Sequence, residues 1–316
     1  MEKIEKSRRS ATRVFALGLL CAGVASACGQ HVTFSVLSPA KVNVRKLAGN
    51  EPATISIGSW QSQPGQAAQA REIAQFLREL VLNAEGGVVQ LKDANGVVRL
   101  DGELTQHSYH EEIKSFQGTC TRRENNKQVK YSCTTNTRHG KAEVRASMNV
   151  VGRDGTTLAA VTEACVKPET TRATDAKAPE IDPEPLLLSC RQQIAAQFAK
   201  AVVPYRIDVT KPWFKCGDAE AQCSGALAQL RAGNFDQAQE LLEQAQKVVA
   251  SDSESLAAVH WGLALTAEFS GRYAEAEKEI QSCMQLWPSE AVFAEELSAI
   301  RKLEAAESEL RAQGVK

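Results

Sequence analysis

The stretch Glu143–Val150, which reads EVRASMNV, decides the fold of the N-terminal half of the chain. Its apolar residues, which begin at Val144, alternate strictly with polar ones, as in a β-strand with one buried and one solvated face. The turn signal Asp154-Gly155 predicts that the chain then folds back along residues 158–164. We therefore expect an antiparallel meander over residues 98–166.

Elements on both sides of this meander predict an α+β fold. Apolar periodicity predicts strands at 32–44, 54–60 and 205–209 and helices at 66–85 and 184–203. The dipeptide Asn95-Gly96 predicts a two-residue hairpin. Residues 167–185 hold four prolines among charged residues and threonines, which indicates a flexible linker or long loop. We expect a small, mostly antiparallel sheet with two packed helices over 28–210.

This order of elements, together with the segment at 202–209 (VVPYRIDV) that leads into helical repeats, resembles a small domain of several envelope lipoproteins. These include the curli-secretion channel family and the lipoprotein activators of penicillin-binding proteins. The resemblance covers about half of the chain and rests on no specific motif. It implies a protein of the bacterial cell envelope.

The C-terminal third contains an internal repeat. Residues 233–238, Gly-Asn-Phe-Asp-Gln-Ala, recur at 271–276 as Gly-Arg-Tyr-Ala-Glu-Ala, each followed by apolar residues at helical spacing. This resembles the turn and second helix of the tetratricopeptide repeat, with a longer period that we place in the loop at 251–254. The resemblance implies an all-α, tetratricopeptide-like domain over 217–316, in which a helix at 289–314 caps two repeats.

The N-terminus has the pattern of a targeting signal. Basic residues precede an eleven-residue apolar run at 14–24, which is too short to span a bilayer. The following residues 25–29, Ala-Ser-Ala-Cys-Gly, resemble the lipobox of bacterial lipoproteins. That resemblance implies a signal peptide over 1–27, palmitate on Cys28, and an outer-membrane anchor facing the periplasm or the cell surface. Ordinary signal peptidase also cleaves after such small residues, so a secreted or periplasmic protein without lipid remains the alternative.

The nine cysteines fit an oxidising compartment. Cys21 leaves with the signal and Cys28 would carry lipid, so seven remain. Six of these fall into sequence-local candidate disulfides: Cys120 with Cys133, Cys165 with Cys190, and Cys216 with Cys223. Other connectivities are open to six cysteines. Cys283 is left over at a small-residue packing position, where we expect a buried thiol. Without lipid, eight mature cysteines would form an even set, which favours the secreted alternative.

Composition and motifs argue against several functional classes. The chain has 37 basic and 38 acidic residues, no basic stripe and 5% aromatic residues, so we expect no nucleic-acid partner. The basic cluster around Arg122-Arg123 indicates a solvated hairpin loop. His107 and His110 would point to opposite faces of a strand, so we expect no metal site, and we expect ordinary strand surface there. No nucleophile or phosphate-binding motif occurs, so we expect neither a cofactor nor an enzyme.

A candidate protein-binding groove follows from the repeat resemblance. The positions that would line it are Leu227, Arg231, Trp261, Leu265 and Glu268. An exposed Trp261 beside Arg231 would suit peptide binding, whereas in the alternative interpretation Trp261 and Leu265 fill the seam between helices. We expect a non-catalytic, membrane-anchored scaffold or assembly factor that binds envelope proteins here. The alternatives are a periplasmic accessory protein that regulates a cell-wall synthase or secretion machine, and a hydrolase.

Overall fold

The computed structural model describes residues 30–84 and 87–315, so the predictions for the signal peptide and for Cys28 lie outside the described residues. The described chain is mixed α and β and divides into two compact units. Within the described residues, the α/β unit comprises Pro39–Tyr205 with residues 311–315, and the helical unit comprises Arg206–Leu310 with residues 30–38. Among the described residues, no helix has the length and apolar character needed to cross a membrane.

Sixteen segments of regular structure follow one another along the described chain. They are β1 (Gln30–Ser38), α1 (Val44–Ala48), β2 (Thr54–Ser62), α2 (Ala67–Leu82), β3 (Gln90–Lys92), β4 (Val98–Glu124), β5 (Lys127–Gly152), β6 (Thr157–Thr174), α3 (Pro183–Ala199), β7 (Tyr205–Trp213), a 3-10 turn (Gly217–Ala219), α4 (Glu220–Arg231), α5 (Phe235–Val248), α6 (Ser253–Phe269), α7 (Tyr273–Leu286) and α8 (Val292–Ala312).

The α/β unit contains a five-stranded sheet in the order β3-β2-β4-β5-β6. The strands β4, β5 and β6 form the predicted antiparallel meander, while β2 runs parallel to both β3 and β4. The alternating residues of the opening stretch are all fully buried: Val144, Ala146, Met148 and Val150. Helices α2 and α3 supply the other half of this core, through residues such as Ile73, Leu77, Ile194 and Phe198. The α+β class is therefore confirmed.

The predicted hairpin at Asn95-Gly96 is wrong, because β3 and β4 lie on opposite sides of β2. Asn95 does take a left-handed conformation with φ 57°. The chain nevertheless passes from one side of β2 to the other at this point, so β3 and β4 do not pair with each other. A Cβ atom on Gly96 would lie 2.7 Å from the backbone nitrogen of Ser56, so only glycine permits this crossing. The backbone nitrogen of Val97 then donates to Thr54 Oγ1 at 3.0 Å.

The predicted linker at 167–185 is also wrong, since β6 continues to Thr174 and α3 begins at Pro183. Pro168 lies on β6, an edge strand, where a missing N–H does not break the interior of the sheet. Pro183 occupies the first turn of α3, where backbone N–H groups have no intrahelical partner. Only residues 175–182 remain as a loop.

The helical unit takes in more of the chain than the predicted boundaries 28–210 and 217–316 allow. The strands β1 and β7 pair with each other in a two-stranded sheet apart from the main one. Phe34 of β1 stacks on Phe269 of α6, with ring centroids 3.5 Å apart. The predicted strand at 32–44 accordingly ends at Ser38, and the apolar residues of β1 serve the helical core.

The helices of this unit form two sequential pairs, α4 with α5 and α6 with α7. Gly233 and Gly271 begin the connections with φ of +76° and +81°, a conformation that L-residues adopt at a cost. Ala238 and Ala276 are fully buried where the paired helices approach. At the C-terminal end α8 packs its Phe293 and other apolar residues against the same core.

Candidate interaction surface

The strands of the meander extend far beyond the part of the sheet that β2 pairs with. The pairing of β2 with β4 ends at Leu104, whereas β4 and β5 remain paired to the turn at Asn125-Asn126. We call this extension, Ser108–Glu124 with Lys127–Glu143, the ribbon. Both turn asparagines have positive φ, 48° and 64°, as a tight hairpin requires. The predicted hairpin at the basic cluster is confirmed, but its turn is only Asn125-Asn126, and the basic residues lie on the flanking strands.

The ribbon exposes apolar side chains to solvent. Phe116 is 73% exposed, Ile113 is 49% exposed and Val129 is 37% exposed. In the strand register, Phe116 and Val129 lie on one face of the ribbon, and the Arg122 guanidinium lies 5.1 Å from the Tyr131 ring centroid on that face. Val129 lies about 20 Å from Phe116 along the strands and Ile113 lies on the other face, so Phe116 is the main exposed apolar contact that the ribbon offers.

Two features hold the ribbon in shape. The Cys120–Cys133 disulfide joins β4 to β5 near the tip, with Cα atoms 5.7 Å apart. At the base, the buried Arg138 forms an ion pair with Glu111 and donates to the Ala178 carbonyl at 3.4 Å. A disulfide therefore links the two strands of the ribbon near its tip, and an ion pair with a buried arginine holds them where the ribbon leaves the rest of the sheet.

A second buried arginine ties the helices to the same strand. Arg191 of α3 is 2% exposed, and its guanidinium pairs with Glu72 of α2 at 2.7 Å and with Glu184. Its Nη1 lies 2.8 Å from His107 Nε2 on β4. Burial and the Arg191 charge lower the pKa of His107, so the neutral ring accepts a hydrogen bond from the guanidinium. The expectation of ordinary strand surface at His107 is therefore wrong.

The opposite face of the sheet carries an open pocket of about 380 Å³. It is lined by His110, Glu111, Glu112, His139, Gly140, Lys141, Val166 and Pro168. His110 lies here while His107 contacts α3, so the prediction that these two histidines point to opposite faces is confirmed. His139 Nδ1 lies 3.2 Å from Thr170 Oγ1. Within residues 30–84 and 87–315, no group of three or more potential ligands could hold a metal ion.

The predicted groove is not an open surface. Leu227, Trp261, Leu265 and Glu268 are all buried, because β1, β7 and the segment after it cover the helix-A positions. Trp261 Nε1 donates to the Pro212 carbonyl at 2.8 Å, and its ring contacts Phe214. Arg231 alone stays exposed, and it donates to the His31 carbonyl at 2.6 Å. The structure therefore agrees with the alternative interpretation, in which Trp261 and Leu265 fill the space between packed helices.

Glu268 belongs to a buried charged cluster that the sequence does not reveal. Lys211 Nζ donates to both carboxylate oxygens of Glu296 at 2.5 Å. Glu268 is 1% exposed, and its carboxyl group lies beside that of Glu296. Burial first, and the nearby Glu296 carboxylate second, raise the pKa of Glu268 to about 9. Glu268 therefore carries a proton at neutral pH and acts as a neutral acid.

All three predicted disulfides are present. Besides the one in the ribbon, Cys165–Cys190 joins β6 to α3, and Cys216–Cys223 closes the turn that precedes α4. Cys283 is a buried free thiol whose Sγ lies 3.3 Å from the Ala257 carbonyl oxygen. Burial raises the pKa of Cys283, which keeps it an unreactive thiol.

Comparison with known proteins gives no family. No family model matches the chain. A search of characterised proteins gave no match either. Among solved structures, the chain is similar to a point variant of the PelC dodecamer from Paraburkholderia phytofirmans, with 10% identity and a TM-score of 0.26. That similarity covers 55% of this chain and 98% of the other, and a TM-score this low carries no argument about fold or function.

Proposed function

We propose that this protein is a bacterial envelope lipoprotein, anchored through Cys28, that acts as a non-catalytic scaffold or assembly factor for envelope proteins. The observation that carries the proposal is the ribbon, a long hairpin that presents Phe116, Ile113 and Val129 to solvent. An ion pair with a buried arginine holds the ribbon where it joins the rest of the sheet. A rigid element with exposed apolar side chains suits protein contacts, because little conformational entropy is lost when it binds.

The cysteine pairing supports the lipid anchor. Among the described residues, six cysteines form disulfides and the seventh, Cys283, is buried in the helical core. The free thiol among the described residues, Cys283, is thus shielded from pairing with Cys28. A secreted protein without lipid would have eight cysteines, enough for four disulfides. The pairings give three disulfides and one buried thiol, so they do not favour that alternative.

The disulfides also support a compartment outside the cytoplasm, since disulfides persist in oxidising environments such as the periplasm. The two helix pairs support a tetratricopeptide-like arrangement, because glycines at positive φ follow α4 and α6 and small buried alanines lie between paired helices. In this proposal the helical unit is the framework, and the ribbon is the surface that binds partners.

The anchor is tested by fractionating cells that produce the full-length protein or its Cys28→Ala variant, fed with an alkyne-tagged fatty acid. We expect the wild-type protein to be labelled and to fractionate with the outer membrane, and Cys28→Ala to be unlabelled. A wild-type protein that is unlabelled and released with the periplasmic contents would contradict the anchor. That outcome would favour the periplasmic accessory protein.

A further inference from the structure

The outer edge of β4 is an unpaired strand edge within the ribbon. In the described chain, β2 pairs with this edge only as far as Leu104, and Gln63 and Gln66 then donate to the Thr105 and His107 carbonyls. From residue 108 to Glu124 no further strand pairs with it, while β5 occupies the inner edge. A long unpaired edge is a template for pairing with another strand, since its N–H and C=O groups point outward.

The other edge of the meander is less suited to strand pairing. It belongs to β6, which contains Pro168, and proline on an edge strand blocks the addition of a further strand. The β4 segment from residue 108 to 124 contains no proline. The β4 edge is therefore the one on which an additional strand fits.

The charge pattern of this edge is complementary to itself. When two copies of β4 run antiparallel with Gln117 opposite the partner's Gln117, Glu112 lies opposite the partner's Arg122 and Glu111 opposite the partner's Arg123. Two-fold symmetry doubles the Glu112–Arg122 contact, so two pairs of opposite charge form between exposed side chains, whereas Glu111 already pairs with the buried Arg138. Opposite charges directly across a sheet stabilise strand pairing, and like charges destabilise it.

Neighbouring registers lack this complementarity. Only registers that place a residue opposite its own copy keep the two faces of the sheet continuous across the pair. With Gly118 at the centre, Glu112 would face the partner's Glu124 and Lys114 would face the partner's Arg122. With Phe116 at the centre, Glu112 would face the partner's Cys120, which is uncharged. Of these three registers, only the one centred on Gln117 sets opposite charges directly across the pair.

The residues beside the centre fit the same register. Phe116 would lie opposite the partner's Gly118, which has no side chain to compete with the ring. Within one chain the Phe116 ring already lies 3.3 Å from the position that a Cβ of Gly118 would take. Pairing would bring the two Phe116 rings to diagonal positions on one face and cover part of a side chain that is 73% exposed in one copy.

We propose that two copies of this chain pair antiparallel along the outer edge of β4, centred on Gln117, with Glu112 of each copy opposite the partner's Arg122. In the single chain Glu112 pairs with Lys114 at 3.0 Å and Arg122 with Glu124 at 2.7 Å, and all four side chains are well exposed and free to exchange partners. The proposal names one partner of the proposed scaffold, and rests on it only in taking the ribbon as the interaction surface.

The first test is a cysteine cross-link in the full-length protein in its own membranes. Directly opposite residues have Cα atoms about 4.5–5.5 Å apart, which a disulfide can bridge, so Gln117→Cys should give a covalent dimer on oxidation. Ser115→Cys is the matched control on the same face. Its two copies would lie about 13 Å apart along the strands and should not cross-link. A Gln117→Cys protein that stays monomeric, or equal dimer from both variants, would overturn the proposal.

Charge exchange in the Gln117→Cys protein provides the second test. Glu112→Arg should lower the dimer yield at least about tenfold, because opposite charges become like charges across the pair. The double variant Glu112→Arg/Arg122→Glu should restore it. Glu304→Arg, the same charge change at an exposed position of α8, is the control and should leave the yield unchanged. Failure of the double variant to restore the dimer would overturn the register.

The two proposals fail separately. The cross-link does not depend on the lipid, so a monomeric Gln117→Cys protein that is fatty-acid labelled overturns the pairing and leaves the lipoprotein scaffold standing. An unlabelled protein that cross-links through residue 117 overturns the anchor and leaves the pairing standing.

Discussion

Glu268, among single residues, gives the clearest link between burial and stability. Its pKa rises from 4.5 to about 9 in the folded state, chiefly through burial. Between these pH values the folded protein binds a proton that the unfolded chain does not, so this residue lowers stability as the pH rises through the window. At pH 7 the cost is about 3 kcal/mol.

Glu268→Gln should remove this cost, because a neutral amide has the shape of the protonated acid. We expect the free energy of unfolding to increase by about 3 kcal/mol at pH 7 and to change little near pH 4. Chemical denaturation across pH 4–9 measures this difference. Glu304→Gln, on the exposed side of α8, is the control and should change stability by less than about 0.5 kcal/mol. A gain from Glu268→Gln that does not grow with pH would contradict the assignment.

At this same scale, sequence periodicity predicts burial but not the partners of buried charges. Arg191 occupies the apolar stripe of its helix between Leu187 and Ile194, and that misplaced charge is the signal that could have revealed the ion cluster. The pairing of Lys211 with Glu296, 85 residues apart, has no local signal. Such ion pairs depend on which distant elements pack against each other, and the periodicity of a sequence does not contain that information.

Among structural elements, the disulfides predict two different responses to reduction. Cys165–Cys190 is buried and joins β6 to α3 across 25 residues, so its loss should destabilise the α/β unit by about 3 kcal/mol. We expect the double variant Cys165→Ala/Cys190→Ala to lower the melting temperature of that unit by roughly 6–12 °C in calorimetry.

The ribbon disulfide should behave differently, because Cys120–Cys133 links two strands that are already paired and largely exposed. Local opening of the tip does not require the unit to unfold. The variant Cys120→Ala/Cys133→Ala should therefore speed amide hydrogen exchange in the ribbon and leave the melting temperature almost unchanged. Equal losses of melting temperature for the two double variants would contradict this division.

Elements were predictable where the signal is local. The alternation that begins at Val144 and the turn at Asp154-Gly155 gave the meander, since both depend on neighbouring residues. The turn signal at Asn95-Gly96 failed because strand pairing is decided by the core, and β2 lies between the two strands. The prolines at 167–185 led to the wrong prediction of a linker, because proline is also accepted on edge strands and in the first turn of a helix.

At the scale of the whole molecule, the predicted protein-binding groove fails because other parts of the chain cover it. All five of its residues were assigned from repeat positions, and four of them are buried because β1 and β7 join the helical unit. The ribbon, by contrast, lies within the meander predicted over residues 98–166, but the sequence did not predict how far β4 and β5 extend beyond β2. The account of function therefore rests on the ribbon as the surface that binds envelope proteins.

The most direct test of that claim replaces Phe116 with a photo-cross-linking phenylalanine analogue in the full-length protein in intact cells. The control places the same analogue at Leu82, an apolar side chain that is 62% exposed at the end of α2. Our account predicts a covalent adduct with an envelope protein other than this chain from position 116, beside any adduct between paired copies, and none from position 82. The absence of such an adduct at 116, or equal adducts at both positions, would contradict it.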